Sequence, residues 1–240
     1  MPEKARQETI AYHEDYYARH ALFDSDSWLA RPDQDMMSLA AKNRLYWRLL
    51  SNQKPLQILD LGAGVGRNAV PLAQYLQANE IIAQIDCFDV LDSSIDLLEQ
   101  NSTRYGVDKY INTRVIDNDC VVIEPESYDL ILAISVIEHC QGLNKVTRLL
   151  SELARGVRKN GYCQIEITTD RSLIDLNTKE CLPTAVETPM TEEQVQKLLK
   201  EAFKDLNIIK MSSFEYHEDL IKDGKEVHWS SRQTAFLAGR

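Results

Sequence analysis

The segment Ile58-Leu59-Asp60-Leu61-Gly62-Ala63-Gly64-Val65-Gly66-Arg67-Asn68 constrains the fold more than any other stretch of the chain. An apolar run that reads as a buried strand passes directly into three glycines within five residues, and a helical pattern starts immediately after them. Glycine takes positive φ without a steric penalty, so the backbone can turn sharply and a ligand can lie against bare main chain. Asp60 falls where the strand ends, and its carboxylate is expected to point into the crevice above the sheet. An acid there favours a cationic or amino-bearing ligand. Beside a pyrophosphate it would be repulsive.

From Gln57 the hydrophobic pattern alternates between strand and helix. Strands are predicted over 57–61, 81–89, 110–116, 128–135 and 161–168, with helices over 68–77, 93–105 and 144–157. The fourth strand, Tyr128–Ser135, is almost continuously apolar, as in a strand buried on both faces. After Asp170 a loop containing Pro183 and Pro189 leads to Thr191-Glu192-Glu193-Gln194, which reads as a capped start for a helix ending near Phe203. Two further strands, 206–216 and 230–238, flank a turn at Asp223-Gly224 and are expected to be antiparallel. Residues 1–50 show no strand pattern. Tyr12, Tyr16, Tyr17 and His20 recur at helical spacing, a second helix is predicted over Met36–Leu50, and a loop over 23–32 separates them. The expected fold is α/β: a doubly wound, seven-stranded, mostly parallel Rossmann-like sheet with an antiparallel C-terminal strand. It occupies 51–240, behind a helical N-terminal extension over 1–50 whose aromatic residues suggest a lid.

Charge and apolar patterning exclude several classes. A net charge of −10 argues against a broad phosphate-binding surface, so no nucleic-acid partner is expected. The longest apolar run, Leu130–Ile137, is too short to cross a bilayer, and residues 1–8 lack a signal-peptide core. Cys87, Cys120, Cys140, Cys163 and Cys181 form no C-x-x-C pair and read as buried free thiols, which suits a reducing cytoplasm. His13, His20, His217 and His228 lack metal-ligand spacing and read as surface or packing residues, so no metal is expected.

Spacing separates two nucleotide ligands. A dinucleotide fold would show G-x-G-x-x-G, whereas Gly62, Gly64 and Gly66 make G-x-G-x-G with Asp60 before them. Asp89, at the end of the second strand, stands where a carboxylate grips a ribose diol. Asp86 and Asp92 compete for that role, Asp86 from mid-strand and Asp92 as a possible cap of the next helix. Val115-Ile116-Asp117-Asn118-Asp119 comes after the third strand, and a solvated turn is its ordinary alternative reading. The D-x-G-x-G-x-G motif with these later acids resembles the class I S-adenosylmethionine-dependent methyltransferases. The resemblance implies S-adenosylmethionine as cofactor and S-adenosylhomocysteine as product. It places Asp60 and the loop of Gly62, Gly64 and Gly66 at the methionyl end, Asp117 at the adenine amino group with Asn118 beside the ring, and Ser135 beside the cofactor.

The acceptor is less legible, because in-line displacement at a sulfonium requires only an aligned nucleophile and excluded water. Ser135-Val136-Ile137-Glu138-His139-Cys140 supplies His139 and Glu138 as candidate bases, or as residues that shape the pocket or cap a turn. Asp117–Ser135, the Cys181-Leu182-Pro183 loop, the helix at Thr191 and Arg232-Gln233-Thr234-Ala235-Phe236-Leu237 are similar to the tellurite-resistance methyltransferases and their thiopurine-type relatives. That resemblance implies a small-molecule acceptor facing Arg232, although a surface arginine on an edge strand is the plain alternative. Arg31 reads either as a partner for an acceptor carboxylate or as part of an Arg-Pro turn. Glu124–Asp129 and the glycine loop are also similar to N-terminal amine methyltransferases. A non-catalytic S-adenosylmethionine-binding module would carry the same donor residues.

Overall fold

The computed structural model describes residues 2–184, 186–222 and 224–240, the side chains of Pro2 and Glu3 excepted. Among them, β1 (Leu56–Leu61), β2 (Ala83–Asp89), β3 (Ile111–Val115), β4 (Tyr128–Ile134), β5 (Val157–Asp175), β6 (Asn207–Lys222) and β7 (Lys225–Gly239) form one sheet in the order β3-β2-β1-β4-β5-β7-β6. The first five strands are parallel, and β7 lies antiparallel between β5 and β6. The strand order reverses between β1 and β4, which opens a crevice at their carboxyl ends.

Burial on both faces explains why the central strands are nearly continuous in apolar residues. Ile58, Leu130 and Leu132 face a layer formed with α2 (Gln34–Ser51), α3 (Ala69–Ala78) and α4 (Asp92–Arg104). Leu59, Leu61, Ile131 and Ala133 face the opposite layer, with α5 (Leu143–Gly156) and α6 (Glu192–Ala202). Alternate residues thus serve opposite layers, as the two-residue period of a strand requires. The N-terminal segment divides by packing. In α2, Met36, Leu39, Ala40 and Trp47 are buried in the first layer, and Asp33 caps the helix by accepting from the Met36 N–H at 2.7 Å. In α1 (Pro2–Arg19) none of the described side chains is fully buried.

Three expectations change. The predicted loop 217–229 is largely strand: β6 and β7 stay paired from His217↔Ser230 to Lys222↔Lys225, and β5 runs to Asp175. Main-chain ladder bonds need no apolar residues, so a polar, exposed ribbon escapes a reading based on hydropathy. The turn is at Gly224, with φ +74°, while Asp223 lies outside the described residues. Among the cysteines, all free, Cys87, Cys140 and Cys163 are buried, but Cys120 and Cys181 are exposed because a short turn and a bridge at the sheet margin carry them. Asp92 does not cap α4: the N-cap is Leu91, whose N–H donates to Asp89 Oδ1 at 3.0 Å.

Candidate active site

The glycines of the turn that leaves β1 have no room for side chains. Gly62 has φ +73°, and a Cβ there would stand 2.7 Å from Val136 Cγ2. Gly64 has φ +51°, and its Cβ would stand 2.8 Å from Tyr17 Oη. Gly66 serves a different purpose, since a Cβ there would meet Leu98 Cδ1 at 2.5 Å. Its missing side chain lets α4 pack against the turn.

Asp60 is 1% exposed, and its Oδ2 has no hydrogen-bond partner among the described residues. Burial pushes its carboxyl up to about 7 against the pull of Arg67, and Asp89 adds to the rise. A buried carboxylate oxygen without a partner is costly, and a cationic ligand would remove that cost. Asp89 ends β2 and holds the turn: its Oδ2 accepts from the Gly64 N–H at 2.8 Å. Burial raises its carboxyl as well, against the backbone N–H groups of Leu91 and Gly64. Beyond β3, Asp117 Oδ1 accepts from the Asp119 N–H at 2.8 Å and Oδ2 pairs with Arg6 at 2.7 Å. Asn118 is buried, and its Oδ1 has no partner among the described residues. Ser135, exposed at the end of β4, takes φ +55°, and its N–H donates to the Glu166 carbonyl at 2.8 Å. Of the competing acids, Asp86 accepts from the Tyr128 hydroxyl at 2.9 Å and from Asn112 at 3.1 Å, within the sheet.

His139 lies in the short 3-10 turn Ile137–His139 that leaves β4, with its Nδ1 2.8 Å from Glu187 Oε2. Glu187 is 2% exposed and also accepts from the Thr9 hydroxyl at 3.3 Å. Thr188 fastens this loop to the turn: its N–H donates to the Glu138 carbonyl at 3.1 Å and its hydroxyl to the Cys140 carbonyl at 2.6 Å. Glu138 itself points into the protein. Its Oε1 accepts from Arg171 at 2.8 Å and from the Thr168 N–H at 3.2 Å, which ties the turn to β5. Arg232 stands opposite Thr169 on β7, and its guanidinium bridges Glu192 at 2.8 Å and Glu215. Arg31 comes directly after the short 3-10 helix Trp28–Ala30, in extended backbone.

The topology brings the strand-end acids, Gly62, Gly64, Ser135 and His139 to one crevice, whereas Glu138 and Arg232 are engaged in ion pairs with the surrounding scaffold. Reasoning from sequence missed Glu187, which sits in a proline-bounded loop without local pattern. It also missed Arg6, Thr9 and His13, which with Tyr17, one of the tyrosines read as a lid, touch site residues from one face of α1. The edge of the His13 ring meets His139, with centroids 6.1 Å apart. Burial lowers the His13 pKa, and its Nδ1 lies 2.9 Å from the Thr9 carbonyl, to which it donates. The i, i+3, i+7, i+11 spacing of that face was a usable signal, hidden because its members are polar.

The crevice suits a ligand with an ammonium group and a hydrogen-bonding ring. The orphaned Asp60 oxygen suits the amino end, the side-chain-free turn admits close approach, and Asn118 offers an open acceptor beside Asp117. By these residues S-adenosylmethionine fits. Fold and site together define a doubly wound α/β domain of the kind that binds a nucleoside cofactor at its switch point. Residues 59–165 match the family described as a methyltransferase domain.

Solved structures share the fold. TehB from Haemophilus influenzae superposes with a TM-score of 0.61 at 16% identity, over 95% of this chain and 67% of that one. A putative methyltransferase from Bacillus halodurans C-125 gives 0.55 at 10% identity, over 82% and 98%. The [4+2]-cyclase SpnF gives 0.51 at 14% identity, over 73% of this chain and 60% of its own. A cyclase among the neighbours means that the fold by itself leaves the reaction to the site. No curated protein sequence matches the chain.

Proposed function

We propose that the protein transfers a methyl group from S-adenosylmethionine to a small-molecule acceptor by in-line displacement. The observation that carries this reading is His139, held by a buried carboxylate at the end of β4, beside the donor residues and beneath α1. When bound, S-adenosylmethionine supplies a methyl group on a sulfonium, already activated for displacement. Asp60 meets the ammonium of the methionyl end, Asp89 the ribose, and Asp117 with Asn118 the adenine. Because a carboxylate only accepts, Glu187 holds a proton on His139 Nδ1 and so directs Nε2 towards the acceptor, whose proton it takes. The roof formed by α1 restricts water and favours an acceptor small enough to be enclosed.

The test is a screen of small thiols, amines, hydroxyl compounds and basic peptides with isotope-labelled donor, comparing wild type with His139→Ala. Wild type should methylate a small protic acceptor, and His139→Ala should lose on the order of 10²-fold in turnover while binding S-adenosylhomocysteine as before. Transfer to peptides alone would establish a protein methyltransferase instead. Donor binding without transfer to any class would leave a binding module.

A further inference from the structure

Helix α1 is polar along its length, yet one of its faces is in contact with the site throughout. Arg6, Thr9, His13 and Tyr17 fall three and four residues apart, so they share a face. Arg6 pairs with Asp117 at 2.7 Å, Thr9 bonds to Glu187 at 3.3 Å, His13 meets His139, and Tyr17 Oη stands over Gly64. The helix therefore spans the crevice from the adenine end to the methionyl end. Its attachment is weak. No described side chain of α1 is fully buried; beyond Tyr16 and Tyr17, which pack partly buried against the core near its end, polar contacts hold it, and elements of this kind open at low free energy. Its far end is anchored, because Tyr16 accepts from the Trp28 N–H at 3.2 Å and the adjoining segment buries Leu22 and Leu29. Phe23 belongs to this anchored segment, its N–H donating to the Leu29 carbonyl at 3.2 Å.

Arg6 stands apart from the other charged residues of α1. Its side chain is 12% exposed, whereas Lys4, Glu8, Asp15 and Arg19 are more than half exposed. It is inserted at the strand end where the donor's adenine belongs, on the carboxylate that would receive the adenine amino group. We propose that α1 is a gate over the donor site, latched by Arg6 on Asp117, and that the donor must displace this latch to bind. The inference rests on the S-adenosylmethionine reading of the site. Opening releases the first turns of α1 from the site while Tyr16 and the segment beyond it stay in place. Closure after entry returns Thr9 and His13 to the acceptor side.

The test measures S-adenosylhomocysteine binding by calorimetry and stopped-flow, with hydrogen exchange on the ligand-free proteins, for wild type, Arg6→Ala and Arg19→Ala. Arg6→Ala should speed association several-fold, tighten the equilibrium by a similar factor and raise amide exchange across residues 4–19. Arg19→Ala, off the contacting face, should match wild type. Unchanged or weaker binding by Arg6→Ala, with wild type binding normally, overturns the gate alone. A wild type that does not bind S-adenosylhomocysteine overturns the donor reading and the gate with it.

Discussion

Asp60 concentrates the conflict between stability and binding in one carboxyl group. Its folded pKa of about 7 lies above the ordinary 3.8, so the folded state holds a proton that the unfolded chain has released over that range. Stability from this group is complete below about pH 4 and falls as pH rises through 7. Glu166 has the same sign: burial and its neighbour Asp33 raise it to about 7, while Arg67 opposes. Ligand-free Asp60→Asn should therefore melt higher than wild type at pH 8 and show a shallower loss between about pH 4 and 7, the remaining slope belonging to Glu166 and the other shifted groups, Asp89 and His13 among them. The same variant should bind S-adenosylhomocysteine more weakly by about 1.5–3 kcal/mol, the worth of a charge-assisted hydrogen bond. Calorimetry and melts across these pH values check both outcomes. Asp60 was readable from its place before the glycines, but the missing partner of its Oδ2 was not, since that depends on neighbours from other strands.

At the scale of elements, α6 shows local sequence at its most legible. Thr191 accepts from the Gln194 N–H at 3.2 Å, and Gln194 Oε1 accepts from the Thr191 N–H at 3.0 Å, a reciprocal cap that the Thr-Glu-Glu-Gln start announces. Thr191→Ala should cost about 1 kcal/mol in urea denaturation and leave donor binding intact, because α6 touches the site only through the sheet. The β6–β7 ribbon shows the opposite case. Its outer half has no apolar period, and pairing alone defines it. Helix α1 falls between the two: tyrosine spacing identified a helix, while the face that does the covering carries Arg6, Thr9, His13 and Tyr17, a mixture that no hydropathy pattern selects.

For the whole molecule, the two helices of the N-terminal segment differ in what holds them. Trp47 of α2 is 1% exposed within the layer shared by β1, β4 and α3. Trp47→Ala should cost about 3–5 kcal/mol by denaturant titration, as for other large buried side chains. No α1 side chain is buried to that degree; its contacts are an ion pair, a few hydrogen bonds, stacked and edge-on rings, and the partly buried Tyr16 and Tyr17. This asymmetry, one helix completing the core and its neighbour held mainly at the surface, is what the proposed gate uses.

Periodicity and turn chemistry were enough to read the seven-stranded α/β fold, the glycine turn and the order of acids along the strand ends. Each of these reflects which residues must leave water and where the chain must bend, and neighbouring residues record that. What required the folded protein was the pairing of Asp117 with Arg6, of His139 with Glu187 and of Glu138 with Arg171, and the length of the β6–β7 ribbon. These depend on residues far apart in the chain meeting at the carboxyl ends of the sheet or across its edge. Such meetings leave no pattern in the local sequence, because packing brings them about rather than periodicity.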